Sequence, residues 1–144
     1  MSSDREILST RDFAAAPAAL FAAFADPVRL AAWWGPAGFT NTITRFEFQV
    51  GGAWHVTMRA PDGTAFPNLS RFTAIAPPDR IAFLHEGPMH RFEMDMTFAA
   101  HAAGTRLVWR MTFDDAAEVQ RLGTFIAAAN EQNFDRLEAH LAVA

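Results

Sequence analysis

The chain has no cysteine, so a disulfide framework, a thiolate nucleophile and a cysteine-based zinc site are all excluded. It has no lysine either: all 12 basic residues are arginine, they never run together, and the net charge is −4. That leaves no basic stripe able to track a phosphate backbone and argues against a nucleic-acid partner. Although 51% of the residues are hydrophobic, no apolar run approaches the roughly 20 residues of a helical membrane span. Asp4 and Glu6 stand where a secretory leader would be basic and then apolar, so a cytoplasmic location is expected. No linker, repeat or low-complexity tract interrupts the chain apart from its abundant alanine, and 144 residues suit one domain over 1–144 that buries roughly 70% of its surface.

The most specific stretch runs from Asp26 to Pro36. Asp26 reads as a helix N-cap with Pro27 at the first helical position, where a missing N–H costs nothing, and Gly35-Pro36 cannot continue a helix. A short helix therefore ends by presenting two adjacent indoles, Trp33 and Trp34. Before it, Arg5 to Phe13 reads as a strand, and Leu20, Phe21 and Phe24 fall on one side of a first short helix.

From Thr40 the period becomes two. Thr44, Phe46 and Phe48 alternate with Arg45 and Glu47, and beyond the Gly51-Gly52 corner Trp54, Val56 and Met58 alternate with His55, Thr57 and Arg59. Pro61-Asp62-Gly63-Thr64 and Pro77-Pro78-Asp79 supply turns, Pro by fixing φ and Gly by accepting φ > 0. In the last hairpin, Phe92, Met94, Met96 and Phe98 alternate with Arg91, Glu93, Asp95 and Thr97, and Leu107, Trp109, Met111 and Phe113 alternate with Arg106, Val108, Arg110 and Thr112. A turn near Ala103-Gly104 sets Glu93 opposite Arg110 on the solvent face. No proline breaks residues 116–142, and Val119, Leu122, Ile126, Ala129, Asn133, Leu137 and His140 make one helical stripe flanked by Phe125, Phe134 and Leu141. The expected class is α+β: a curved antiparallel sheet gripping a long C-terminal helix, with two short helices after the first strand.

The element order, together with Asp26-Pro27, Trp33-Trp34-Gly35-Pro36, Gly51-Gly52, the 58–63 turn, Pro77-Pro78-Asp79-Arg80, Gly104-Thr105-Arg106-Leu107 and Asp135-Arg136-Leu137, resembles the activator-of-Hsp-ninety-ATPase homologue-like family of the START-like (SRPBCC) helix-grip superfamily. The resemblance implies a hydrophobic cavity between sheet and helix that holds a lipid, polyketide or other apolar molecule, of about 300–1,000 Å³ if functional. No ligand set with metal spacing is present, and the reading includes neither a metal nor a covalent cofactor. The resemblance also leaves room for a polyketide cyclase or hydratase, and for a co-chaperone domain that meets a chaperone or a second protomer through Trp33 and Trp34.

The bulky inward set on the strands is Trp54, Met58, Phe66, Phe72 and Phe83, then Phe92, Met94, Met96, Trp109 and Met111; Phe125 and Phe134 add to it from the helix. Such a set is either a filled core or a cavity wall. Small residues at Ala127, Ala128 and Ala129 in mid-helix favour a cavity, with Trp33 and Trp34 near its mouth or packed one in and one out. His85 shares the inner face with Phe83 and is the candidate polar contact; with Asn68 or Arg71 it is also the candidate acid–base group of an enzyme. Asn130 and Asn133 bring amides to the buried stripe. His85 and His90 are five apart across Gly-Pro, against the four-residue spacing of the helical zinc motif, and so do not make a metal pair.

Overall fold

The period-two segments form strands and the two proline-started segments form short helices, as their patterning requires. The computed structural model describes residues 4–143; the outermost residues of the expected domain, 1–3 and 144, lie outside the described residues. The elements are β1 (Glu6–Phe13), α1 (Pro17–Ala25), α2 (Pro27–Trp33), β2 (Thr40–Phe46), β3 (Ala53–Arg59), β4 (Ala65–Ala76), β5 (Arg80–Gly87), β6 (Phe92–His101), β7 (Gly104–Phe113) and α3 (Ala116–Val143). The seven strands make one curved antiparallel sheet in the order β1-β7-β6-β5-β4-β3-β2. The α1–α2 segment thus carries the chain from one sheet edge to the other. No helix among the described residues is long and apolar enough to cross a membrane.

Asp26 caps α2 as expected, accepting a 2.9 Å bond from the Val28 N–H. Against the sheet, α1 and α2 bury Leu20, Phe21, Phe24, Leu30 and Trp33. The long helix α3 lies along β1 and β7 and buries Asn130, Asn133, Phe134 and Leu137. Arg11 of β1 fastens it there, donating to Asp135 at 2.7 Å and to Glu131 at 3.0 Å while its guanidinium covers the Phe134 ring at 5.5 Å.

Two side-chain expectations are corrected here. In the last hairpin Asp95, and not Glu93, faces Arg110, while Glu93 faces Thr112. The reason is the turn: His101 pairs with Gly104 across the two-residue loop Ala102-Ala103, where Ala102 adopts φ 52°, whereas a Glu93–Arg110 pair would need the loop one residue earlier. Asp95 forms its ion pair with Arg80 of β5, at 2.9 and 3.0 Å, within the solvent-side charge ladder. The second correction is Phe125, which is 74% exposed. At about 100° per residue it stands about 140° around the helix from Asn130, on the outer side. Ala128 is likewise exposed.

Candidate functional site

Alternation along the strands sets side chains in rows across the concave face. Strand register aligns Trp54 with Ser70, Ser70 with His85, and His85 with Phe92, while Phe83 aligns with Met94 and Met94 with Met111. A bulge between Leu69 and Ser70 takes up one extra residue, Glu86, on β5. Facing these rows are Ala129, Asn130 and Asn133 of α3 and the segment Trp34-Gly35-Pro36 that follows α2. Between them lies a pocket of about 140 Å³.

Of the residues singled out from sequence, Trp34, Trp54, Met58, Asn68, Phe83 and His85 line this pocket, as do Phe92, Met94, Trp109, Met111 and Ala129. The others do not. Trp33 is 1% exposed and fills the space beneath α1 and α2, its ring edge-on to Phe24 at 4.7 Å and its N–H donated to the Ala23 carbonyl at 3.1 Å. The two indoles therefore pack one into the core and one into the pocket, and they do not form an exposed surface. Phe72 and Met96 close a separate void of about 10 Å³ behind Trp54. Phe134 is buried between Phe13 and Trp109, with ring centroids 6.1 and 4.6 Å away. Phe66 packs outside the pocket against Phe39 at 6.2 Å, and Phe125 points to solvent. Ser70, Asn130 and Asn133 complete the polar lining, and Val56, Gly35 and Pro36 complete the remainder. The amides had been visible as polar positions on an otherwise buried stripe; Gly35 and Pro36 carried no such signal.

His85 is 7% exposed and stacks on Phe92 at 4.7 Å, with 10° between the rings. Its Nδ1 lies 2.8 Å from the His90 carbonyl oxygen and its Nε2 2.7 Å from the Asn68 amide oxygen, whose NH2 donates to the Phe66 carbonyl. Both neighbours are acceptor oxygens, so a neutral imidazole, with its single N–H, donates to one of them only. Arg71, the other candidate partner, lies on the solvent side and pairs with Glu86 at 3.2 Å. His90 in turn contacts Glu118 in the first turn of α3 at 2.5 Å. Among the described residues there is no group of three or more side chains suited to a metal ion.

Burial pushes the His85 imidazole below its ordinary value, against the upward pull of the His90 carbonyl. His140 is lowered too, first by burial and then by the Arg29 charge. A histidine held neutral in the fold takes up its proton more readily when unfolded. Stability is therefore intact above the unfolded value of about 6.5 and is lost as the pH falls from there toward the folded pKa. Asp12, Glu47 and Asp62 are all lowered by hydrogen bonds to their carboxylates and act below their ordinary values of 3.8 to 4.5, outside that window. Urea midpoints measured from pH 7.5 down to 5 are expected to fall, and to fall less in His85→Gln. An equal fall in the variant would remove His85 as a source.

The end of α2, which sets Trp34 in the wall, is held by a network the sequence did not reveal. A helix leaves its last carbonyls without intrahelical partners. Here Asn41 donates to the Ala31 and Trp34 carbonyls at 3.0 and 2.7 Å, and Asn133 to that of Trp33 at 3.0 Å. Arg136 donates to the carbonyls of Ala32, Trp34, Gly35 and Pro36 at 2.8–3.2 Å. Gly35 follows at φ +94°, where a Cβ would meet the Met58 methyl at 2.8 Å.

The family model for Activator of Hsp90 ATPase homolog 1-like protein matches residues 14–142. Among solved structures, a protein from Arthrobacter aurescens superposes with a TM-score of 0.90 at 23% identity, covering 100% of this chain and 91% of that one. Protein Ms6760 from Mycobacterium smegmatis gives 0.84 at 25% identity, with 97% and 92% covered. An AHSA1 protein from Silicibacter pomeroyi gives 0.75 at 22% identity, with 96% and 98% covered. None of the curated proteins matches the chain in sequence.

Proposed function

Because the chain belongs to the family of Activator of Hsp90 ATPase homolog 1-like proteins, of START-like helix-grip fold, we propose that it reversibly binds a small, largely apolar aromatic molecule between the sheet and α3. The observation that carries the reading is the pocket of about 140 Å³, walled mainly by aromatic and methionine side chains with a few polar groups among them. Its volume lies below the size expected from sequence and is close to that of engineered cavities of about 150 Å³ that hold benzene. The occupant is accordingly of single-ring size. For a ligand of about nine non-hydrogen atoms, micromolar affinity asks for about −0.9 kcal/mol per atom, inside the ceiling of about −1.5.

The His85 geometry supports binding over acid–base turnover. A general acid or base needs a ring nitrogen directed at the reacting group. Both nitrogens of His85 instead face protein oxygens, the His90 carbonyl at 2.8 Å and the Asn68 amide oxygen at 2.7 Å. The same side chain serves better as a rigid wall, stacked on Phe92.

Three of the four tryptophans, Trp34, Trp54 and Trp109, border the pocket, so an occupant reports itself through indole emission. Single-ring aromatics are expected to change that emission saturably with constants between about 1 mM and 1 μM. Native mass spectrometry of protein purified from its own host is expected to retain a small molecule. No saturable change and no retained mass would overturn the reading.

A further inference from the structure

Several polar groups of the pocket wall are used up by the fold itself. The Asn68 amide is spent on the Phe66 carbonyl and on His85, and each His85 nitrogen faces a protein oxygen. The Trp54 and Trp109 N–H groups lack partners but are sealed from any open space. Asn133 differs. It is 4% exposed, lines the pocket and donates its NH2 to the Trp33 carbonyl at 3.0 Å. A carbonyl only accepts, so that bond fixes which end of the amide is nitrogen. The other end, Oδ1, has no hydrogen-bond partner among the described residues and is not one of the sealed atoms. For a residue on the buried face of α3, the surface left open is the one it gives to the pocket. Ser70 adds a hydroxyl in the row with Trp54 and His85, also 4% exposed, unpartnered and unsealed. A hydroxyl donates or accepts as required, and the Asn130 amide, set against the Ser9 hydroxyl, suits either orientation. Asn133 Oδ1 can only accept, so it sets the polarity of what the pocket selects.

We propose that the occupant is a single-ring aromatic molecule of the phenol class, and that its hydroxyl donates to Oδ1 of Asn133. An occupant without a donor would strip water from that oxygen and leave it unpaired, which costs free energy; a phenol restores the bond. The ring itself meets Phe83, Phe92 and Met94 on the sheet side. The two ends of one amide then have separate tasks, Nδ2 holding the end of α2 and Oδ1 reading the occupant. This assignment rests on the binding reading above and adds what the site selects: a donor over a hydrocarbon of the same shape.

p-Cresol and p-xylene are a matched pair of probes, alike in shape and differing in one hydroxyl. Their affinities for the wild type and for Asn133→Leu, read by titration of 15N-labelled protein, form a cycle in which the unequal hydration of the probes cancels. The ratio of affinities, p-cresol over p-xylene, is expected to fall about tenfold in the variant, the worth of one well-made hydrogen bond. Loss of the bond to the Trp33 carbonyl acts on both probes alike and leaves the ratio unchanged. A second arm uses the wild type alone and so stands even where Asn133→Leu fails to fold: the 13C resonance of the Asn133 side-chain carbonyl should lie further downfield in the p-cresol complex than in the p-xylene complex. An unchanged ratio in a folded variant, as expected if Oδ1 keeps a water, or the same carbonyl shift with either probe, would overturn this proposal and leave the binding reading standing. Failure of both probes to bind the wild type would overturn the binding reading itself.

Discussion

Replacing Trp33 by alanine is expected to destabilise the protein by about 3–5 kcal/mol, whereas Trp34→Ala costs clearly less and acts mainly on ligand affinity. The neighbouring indoles differ in what surrounds them. Trp33 is 1% exposed, stands edge-on to Phe24 and holds the Ala23 carbonyl, so its loss leaves both a ring-sized cavity between the short helices and the sheet and a buried carbonyl without its donor. Trp34 is half-buried and already borders open space, and deleting it enlarges a pocket that exists instead of creating a new void. Urea unfolding followed by circular dichroism separates the two: a much lower midpoint at unchanged slope for Trp33→Ala, a small shift for Trp34→Ala. Emission of the remaining tryptophans gives the affinity change. Equal losses of stability would mean that Trp34 is core and that the pocket wall has been misassigned.

The contrast also shows what could be read from the sequence. The strands and the long helix were legible because period-two and helical patterning run for many residues and agree with their turn residues. His85 was legible as an inward residue for the same reason, being two positions from Phe83 on one strand. The Trp33-Trp34 pair was not resolved because periodicity ends there: the backbone leaves the helix at Trp34, with φ −65° and ψ 140°, and only tertiary contacts decide which ring goes where. Phe125 misled because flanking a stripe says little about depth, and α3 is buried deeply only in its second half, from Asn130 to Leu137. Pocket volume depends on how fully side chains from five strands, α3 and the segment after α2 interpenetrate, a quantity with no local signature.

Arg136→Ala is expected to cost about 2–4 kcal/mol, because it removes hydrogen bonds made by a charged donor and leaves carbonyl oxygens at a helix end short of partners. The guanidinium reaches four of them, those of Ala32, Trp34, Gly35 and Pro36, from the far side of the pocket on α3. A cation there also meets the negative end of the α2 dipole. Arg136→Lys is not expected to restore the wild-type level, since a single ammonium cannot span carbonyls that a planar fork serves together. The effect on function follows from position. Asn133 and Arg136 are three residues apart on α3, and between them they hold the carbonyls of Ala32 to Pro36, so the helix sets the height of Trp34 over the sheet. Loosening that clamp should weaken binding of a single-ring aromatic in Arg136→Ala, although the guanidinium does not line the pocket. Unfolding midpoints and emission titrations of the wild type, Arg136→Ala and Arg136→Lys test both parts. A folded Arg136→Ala protein with unchanged affinity would show that the α2 end holds Trp34 in place without Arg136.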